Sequence, residues 1–151
     1  MKVIIDYPTI EEETKIMRTH INDSFSHVSP VIDTDRILKA RQLVKQVYID
    51  ERIEQYIADI VFATRYPEQY KLKDFKNYIS FGGSPRASIN LALAARTCAF
   101  IKRRGYVVPE DVREVAADVL RHRIGLSYEA EASDIKADDI VKEILNKVEV
   151  P

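Results

Sequence analysis

Apolar side chains recur every three or four residues along most of the chain, which is the spacing of one face of an α-helix. The pattern predicts six helices, over residues 9–20, 33–50, 51–65 and 85–104, one that begins at Pro109, and one over 137–148. Polar segments at 22–33 and 66–83 are predicted as loops, and 125–135 as extended chain. We therefore expect an all-α fold, a helical bundle of about six helices.

The N-terminal stretch "MKVIIDYP" differs from the rest, because it predicts a short strand that Pro8 ends. A single strand of this length has nothing to pair with in a helical chain. It indicates either the remnant of a sheet that belongs to another part of a protein or a disordered start. The first helix follows, with a capping box of Thr9 and Glu12. Its expected buried stripe consists of Ile10, Ile16 and Met17.

The stretch "GGSPRASINLALAARTCAFIKRRG", residues 82–105, predicts the central helix. Ser84 is suited to the N-cap and Pro85 to the first turn, while Gly105 is expected to end the helix. Apolar side chains surround much of the predicted helix, so we expect it to be central and buried.

Arg86 is the sharpest candidate for a functional residue. It lies in the first turn of the predicted helix, where the helix dipole is already positive and an arginine is unusual. Free backbone N–H groups and a guanidinium together make a site for an anion such as phosphate. Gly82 and Gly83 would leave the approach open. The alternative is a surface arginine paired with a carboxylate elsewhere in the chain.

Composition narrows the classes of site that the chain can hold. Its 151 residues are 46% hydrophobic and 31% charged, with a net charge of −1, which is ordinary for a globular domain. The four glycines fit no phosphate-binding loop, and the three histidines, His20, His27 and His122, are too scattered for a zinc site. Because Cys98 is the only cysteine, no intrachain disulfide can form, and we expect its thiol to be buried and inert. No metal site, membrane span or signal peptide is predicted, and a cytoplasmic location is the default expectation.

Two basic clusters leave a second function open. "KRRG" at 102–105 and "LRHRI" at 120–124 could contact nucleic acid, a nucleotide or a neighbouring subunit, or could be ordinary solvated helix ends. A small excess of positive charge over residues 31–128 also favours a free-standing helical adaptor or nucleic-acid-binding module. The basic residues alternate with acids and form no stripe interleaved with aromatic residues, which argues against nucleic acid as the ligand.

The whole pattern resembles the C-terminal lid of MoxR-type AAA+ ATPases. The resemblance is carried by "GGSPRA", the alanine-rich helix, "YVVPEDV" and "LRHRI", and further upstream by "DYPTIEEE" and the helix ending in "ATR". It covers residues 3–150, and Val108 stands where the family usually has threonine. The nucleotide-binding core of that family is missing. The resemblance therefore implies a lid cut from a longer ATPase, with residues 1–8 as the remnant of the last core strand and hinge and 9–151 as the lid, unable to hydrolyse ATP alone.

The resemblance also implies roles for single residues. Arg86 matches the sensor-2 arginine, which reaches the γ-phosphate of ATP and serves catalysis, either in its own subunit or in a neighbouring one. Ser84 and Pro85 would aim it, and Tyr7 and Pro8 at the hinge would border the adenine. Second-tier candidates for contacts between subunits are Arg65, Arg121 and Arg123.

For the parent protein, the resemblance implies ATP and Mg²⁺ as cofactors, with the Mg²⁺ held by the core. It further implies a homo-oligomeric ring, commonly a hexamer, with chaperone-like activity. Such rings remodel or activate partner proteins, often ones with von Willebrand factor A domains.

Overall fold

The computed structural model describes residues 1–22 and 28–151, and within them the chain is mostly helical, as predicted. The α-helices are α1 (Ile10–Ile21), α2 (Thr34–Val44), α3 (Glu51–Ala63), α4 (Pro85–Ile101), α5 (Pro109–Leu120), α6 (Tyr128–Ala132) and α7 (Ala137–Lys147). Two 3₁₀ segments, Pro67–Tyr70 and Lys73–Tyr78, and two short strands, β1 (Ile79–Phe81) and β2 (Gly125–Leu126), complete the described elements. Residues 23–27 of the loop predicted over 22–33 lie outside the described residues.

The core lies between α3, α4, α5 and α7, and α4 packs mainly against α5 and α3. α3, α5 and α7 are amphipathic and turn their apolar faces inward, whereas α4 is apolar on most sides and is buried on one of them. The largest fully buried apolar side chains are Tyr56, Ile60, Leu91, Leu120, Ile140 and Ile144. Truncating a buried aliphatic side chain of this size to alanine costs about 2–5 kcal/mol of stability. Contacts of this strength hold α4 in a fixed position against the other three helices.

The end of α4 differs from the prediction. The helix stops at Ile101, and Arg103 adopts the left-handed conformation with φ of 58°. The Arg103 N–H donates to the Phe100 carbonyl and the Arg104 N–H to the Ala99 carbonyl, both at 2.9 Å. This is a Schellman motif, which satisfies the last carbonyl groups of the helix. The prediction that Gly105 ends the helix is wrong, because Arg103 takes the left-handed position two residues earlier.

Two other segments contain more structure than their composition predicted. The segment 66–83 holds both 3₁₀ turns and β1, which pairs antiparallel with β2, Ile79 opposite Leu126. The segment 125–135, predicted as extended, is so only at β2 and then forms α6. Ser127 begins α6 because its Oγ accepts a hydrogen bond of 3.2 Å from the Ala130 N–H.

The N-terminal region contributes least to the packing. Residues 1–9 form neither helix nor strand, so the strand predicted at the N-terminus is not formed. β1 and β2 pair with each other, and the Lys2 N–H of the N-terminal segment donates instead to the Asp118 carbonyl of α5 at 2.7 Å. The Thr9–Glu12 capping box is present in α1, but α1 and α2 contain no buried residue. The prediction that α1 buries an apolar stripe is wrong for this chain, because Ile10, Ile16 and Met17 are all exposed.

Candidate functional site

The candidate site is the N-terminus of α4, which begins where the sequence predicts. Ser84 has the extended backbone of an N-cap residue, and Pro85 occupies the first helical position. The Ser84 hydroxyl accepts no hydrogen bond from the first turn, and that turn contains no acidic residue. Ser84, Pro85 and Arg86 are all exposed. The positive end of the helix dipole is therefore open to an anion from solvent.

Arg86 is exposed at this helix end. Within residues 1–22 and 28–151, its guanidinium has no carboxylate partner and no hydrogen bond, although its backbone carbonyl accepts one from Asn90 Nδ2 at 2.7 Å. The alternative interpretation, an arginine held by an acidic residue of the same chain, receives no support from these contacts. A guanidinium left free at a positive helix end is suited to a phosphate group, which it can bind through two parallel hydrogen bonds.

The loop that leads into α4 is tied to the end of α3 by Thr64. The Thr64 hydroxyl donates to the Val61 carbonyl at 2.6 Å and accepts from the Gly83 N–H at 2.8 Å. Thr64 is completely buried, and its hydroxyl acts as a donor in one of these bonds and as an acceptor in the other. Composition gave no sign of this residue. Only the Thr-Arg pair at the end of the α3 sequence could have drawn attention to it.

Gly82 and Gly83 allow the loop to pack closely on α3. A Cβ atom at Gly82 would lie 2.5 Å from the Thr64 carbonyl oxygen, a backbone atom that cannot turn aside. A Cβ at Gly83 would lie 3.1 Å from Ala87 Cβ and 3.3 Å from Val61 Cγ1. Close packing of the loop therefore requires a glycine at position 82 and leaves little room for a side chain at position 83.

Arg65 lies on the other side of this loop. Its side chain passes Gly82, and its guanidinium carbon lies 4.8 Å from the centre of the Phe62 ring, a cation–π contact. The Phe62 ring in turn packs on Tyr66, with 4.7 Å between the ring centres. A groove of about 300 Å³ beside Gly82 is lined by Arg65, Tyr66 and Phe81. Arg65 is therefore an exposed arginine held against an aromatic surface.

The guanidinium of Arg121 is bound by other groups of the same chain. Its guanidinium makes two hydrogen bonds to the Asp138 carboxylate, at 2.8 and 3.1 Å. Two further bonds of 2.6 Å reach Asp118 and the Lys2 carbonyl. Only 12% of the Arg121 side chain is exposed. These contacts tie α5, α7 and the N-terminal residues together.

The remaining predicted site residues are not brought to the start of α4 by any described contact. Arg123 is half-buried, and its Nε atom has no hydrogen-bond partner among the described residues. Tyr7 and Pro8 belong to the exposed N-terminal segment, and Tyr7 is fully exposed.

Lys102 and Arg104 of the "KRRG" cluster are paired with carboxylates of α5, Lys102 with Glu114 and both with the buried Asp111. Arg104 binds this carboxylate through two hydrogen bonds, one of them 2.7 Å long, and Lys102 Nζ lies 3.4 Å from it. Burial by itself would raise the pKa of Asp111, but Arg104 and the Val108 N–H outweigh it and hold the pKa below its ordinary value. These cations therefore stabilise the α4–α5 junction, and the cluster is not a free basic patch.

Residues 1–22 and 28–151 contain no group of three or more His, Cys, Asp and Glu side chains that could hold a metal ion. No helix in that part of the chain has both the length and the apolar character needed to cross a membrane. His27, one of the histidines judged too scattered for zinc, lies outside the described residues.

Comparison with known proteins agrees with this geometry. The sequence profile of the AAA lid domain matches residues 73–144. Chaperone MoxR1 of Mycobacterium tuberculosis is 35% identical over 150 residues, which are 99% of this chain and 40% of that protein. The crystal structure of a "putative ATPase" from Cytophaga hutchinsonii is 42% identical, with a TM-score of 0.91 over all of this chain and 46% of that one. The chain is an AAA lid domain of the MoxR type.

Similarity to the full-length relatives extends beyond the segment that matches the lid profile and includes α1 and α2. The uncharacterised protein YeaC of Bacillus subtilis is 33% identical over 151 residues, 99% of this chain and 44% of YeaC. The chain thus spans less than half the length of the relatives that it matches. Of the candidate residues, Ser84, Pro85, Arg86, Arg121 and Arg123 lie inside the segment that matches the AAA lid profile. The comparisons give no support to the adaptor or nucleic-acid-binding alternative.

Proposed function

We propose that this lid domain closes over ATP bound by the nucleotide-binding core of a longer protein, with Arg86 contacting the γ-phosphate. The observation that carries the proposal is a guanidinium without a partner among the described residues, at a helix N-terminus that has no side-chain cap. Both features favour an anion, and together they favour a compact, highly charged one such as a terminal phosphate. The ATPase in the name of the structural relative from Cytophaga hutchinsonii is consistent with this ligand.

The chemistry proposed for Arg86 is electrostatic. During hydrolysis, negative charge is spread over the oxygens of the transferred phosphoryl group, and a fixed guanidinium stabilises that charge more than the charge of the ground state. The same contact distinguishes ATP from ADP, because ADP offers no γ-phosphate. As in the family that the sequence resembles, Mg²⁺ would be held by the core.

We propose the following division of the chain: residues 1–8 form the hinge and strand remnant that join the core, and 9–151 form the lid. Tyr7 and Pro8 would border the adenine when the core is present. The exposure of both residues in the isolated chain is compatible with this role. Whether Arg86 serves its own subunit or a neighbour depends on how the lid sits on the core.

For the assembled protein we propose a homo-oligomeric ring, commonly a hexamer, that uses ATP to remodel or activate partner proteins. Support comes from the relative named Chaperone MoxR1. A protein with a von Willebrand factor A domain is the proposed class of partner. Among the predicted contacts between subunits, Arg65 has the most accessible guanidinium, whereas Arg121 already binds Asp118 and Asp138.

The test is ATP turnover by the full-length protein that contains this lid. Replacing Arg86 with alanine should lower kcat tenfold or more, because a charge at a transferring phosphate contributes on the order of 3 kcal/mol. The circular dichroism spectrum should remain unchanged, since the Arg86 side chain is exposed and bonds to no group of the described residues. Lys142→Ala, which removes the same charge from an exposed position of α7, is the matched control and should leave turnover unchanged. Equal turnover in wild type and Arg86→Ala would overturn the proposal.

A further inference from the structure

The geometry points to Thr64 as a positioning residue for Arg86. This inference rests on the proposed function, because it concerns how the phosphate-binding guanidinium is held in place. Thr64 terminates α3, whereas Arg86 belongs to the first turn of α4, so the two residues are 22 positions apart in sequence. The loop 82–84 leads directly into α4, and the Gly83 N–H of that loop donates a hydrogen bond to the Thr64 hydroxyl.

The Thr64 hydroxyl forms a two-bond bridge. One bond of 2.6 Å runs to the Val61 carbonyl in the last turn of α3, and one of 2.8 Å comes from the Gly83 N–H. Thr64 is entirely buried, so water cannot replace either bond without a rearrangement of the packing. Valine has the shape of threonine but could make neither bond, whereas serine could make both. The chain therefore offers a matched pair of substitutions that separates hydrogen bonding from shape.

Packing transmits the position of Gly83 to Arg86. A Cβ at Gly83 would lie only 3.1 Å from Ala87 Cβ and 3.3 Å from Val61 Cγ1, so the loop packs against both residues, and Ala87, the next residue after Arg86, is fully buried. On the preceding side, Gly82 lies against the Thr64 carbonyl. The start of α4 is thus held before and after Arg86 by contacts that lead back to the end of α3. Loss of the Gly83 bond would leave a buried N–H without a partner, which favours a shift of the loop.

The test uses the full-length protein and two measured quantities, kcat and the ratio of the Kd for ADP to the Kd for ATP. Thr64→Val should lower both quantities by about tenfold. A catalytic group displaced by about 1 Å can cost roughly a hundredfold in rate, and we expect a smaller displacement of Arg86 here. Thr64→Ser should retain most of both. In an Arg86→Ala background, Thr64→Val should cause no further loss of either quantity, because the group that it positions is already absent.

Each outcome decides one of the two hypotheses. If the effects of Thr64→Val and Arg86→Ala multiply, or if Thr64→Ser fails as badly as Thr64→Val, Thr64 is structural and the inference is overturned. If Arg86→Ala itself changes neither quantity, the proposed function fails and the inference fails with it. Should circular dichroism show that Thr64→Val is unfolded, Thr64→Ala, which cannot overpack the site, takes its place in the same cycle.

Discussion

At the scale of the residue, the strongest electrostatic feature of the lid lies away from the candidate site. The carboxylate of Asp111 is buried and accepts hydrogen bonds from Arg104, Lys102 and the Val108 N–H. It therefore joins the end of α4 to the start of α5. Sequence reasoning attributed the cations of "KRRG" to the end of a helix, because the carboxylate that binds them lies in the next helix and only folding brings it close.

Removing the charge of Asp111 should destabilise the lid. Asp111→Asn keeps the shape of the side chain but leaves Arg104 without an anionic partner, which should lower the free energy of unfolding by about 3 kcal/mol. Urea unfolding at neutral pH, followed by circular dichroism, measures this difference. Glu110→Gln, an exposed change in the same helical turn, is the control and should shift it by less than about 0.5 kcal/mol. Similar losses in both variants would contradict the assigned role.

The same carboxylate predicts a dependence of stability on pH. Because the folded-state pKa of Asp111 is held below its ordinary value of 3.8, its contribution is fully present above that value and is lost as pH falls through the lower folded-state pKa. The difference in unfolding free energy between wild type and Asp111→Asn should therefore stay constant down to about pH 4 and shrink towards pH 2. A difference that grows on acidification would show that the sign is wrong.

At the scale of the element, α4 shows what helical periodicity can and cannot predict. Its existence, its start at Pro85 and its central place follow from the sequence. Its burial is one-sided, however, since Ile89, Leu93 and Ile101 are exposed. Leu93 and Ile101 line a groove of about 510 Å³ between α4 and α5. Apolar composition on all sides cannot reveal which sides have a packing partner, because that depends on the arrangement of the other helices.

The end of α4 gives a paired prediction about two neighbouring positions. Arg103 has φ of 58°, which a residue with a Cβ adopts at a cost of about 1 kcal/mol, so Arg103→Gly should raise the free energy of unfolding by up to that amount. Gly105 has no positive φ, and no atom lies within 4 Å of where its Cβ would be. Gly105→Ala should therefore be neutral or stabilising by about 0.5 kcal/mol. Urea unfolding of both variants measures these changes. Destabilisation by both substitutions would mean that Gly105, and not Arg103, ends the helix.

At the scale of the whole molecule, the chain consists of a packed unit and an N-terminal arm, residues 1–44, which carries α1 and α2. The packed unit begins near Val47 and contains α3 to α7, while α1 and α2 bury no residue. The sequence predicted all six long helices as parts of one bundle, because an amphipathic helix looks the same whether or not its partner is present. The start of α4 was predictable from local signals, whereas its connection to Thr64 required the fold.

Deleting residues 1–44 should therefore leave the packed unit folded. The arm contributes the Lys2 contacts with Asp118 and Arg121 and partial cover on α4, so we expect the free energy of unfolding to change by about 1 kcal/mol or less. Deleting 137–151 is the contrasting variant, because α7 buries Ile140, Val141 and Ile144, and it should abolish cooperative unfolding. Loss of the folded state in the first deletion would show that the arm belongs to the core.

The same division predicts how the arm behaves in the longer protein. Under the proposed function, the nucleotide-binding core covers the apolar side chains that α1 and α2 expose here. Their backbone amides should exchange hydrogen rapidly in this chain and slowly in the full-length protein, whereas the amides of α5 should be protected in both. Hydrogen exchange read out by mass spectrometry compares the two directly. Equally rapid exchange of α1 and α2 in the full-length protein would mean that the core does not cover them, and that their apolar faces stay available for another partner.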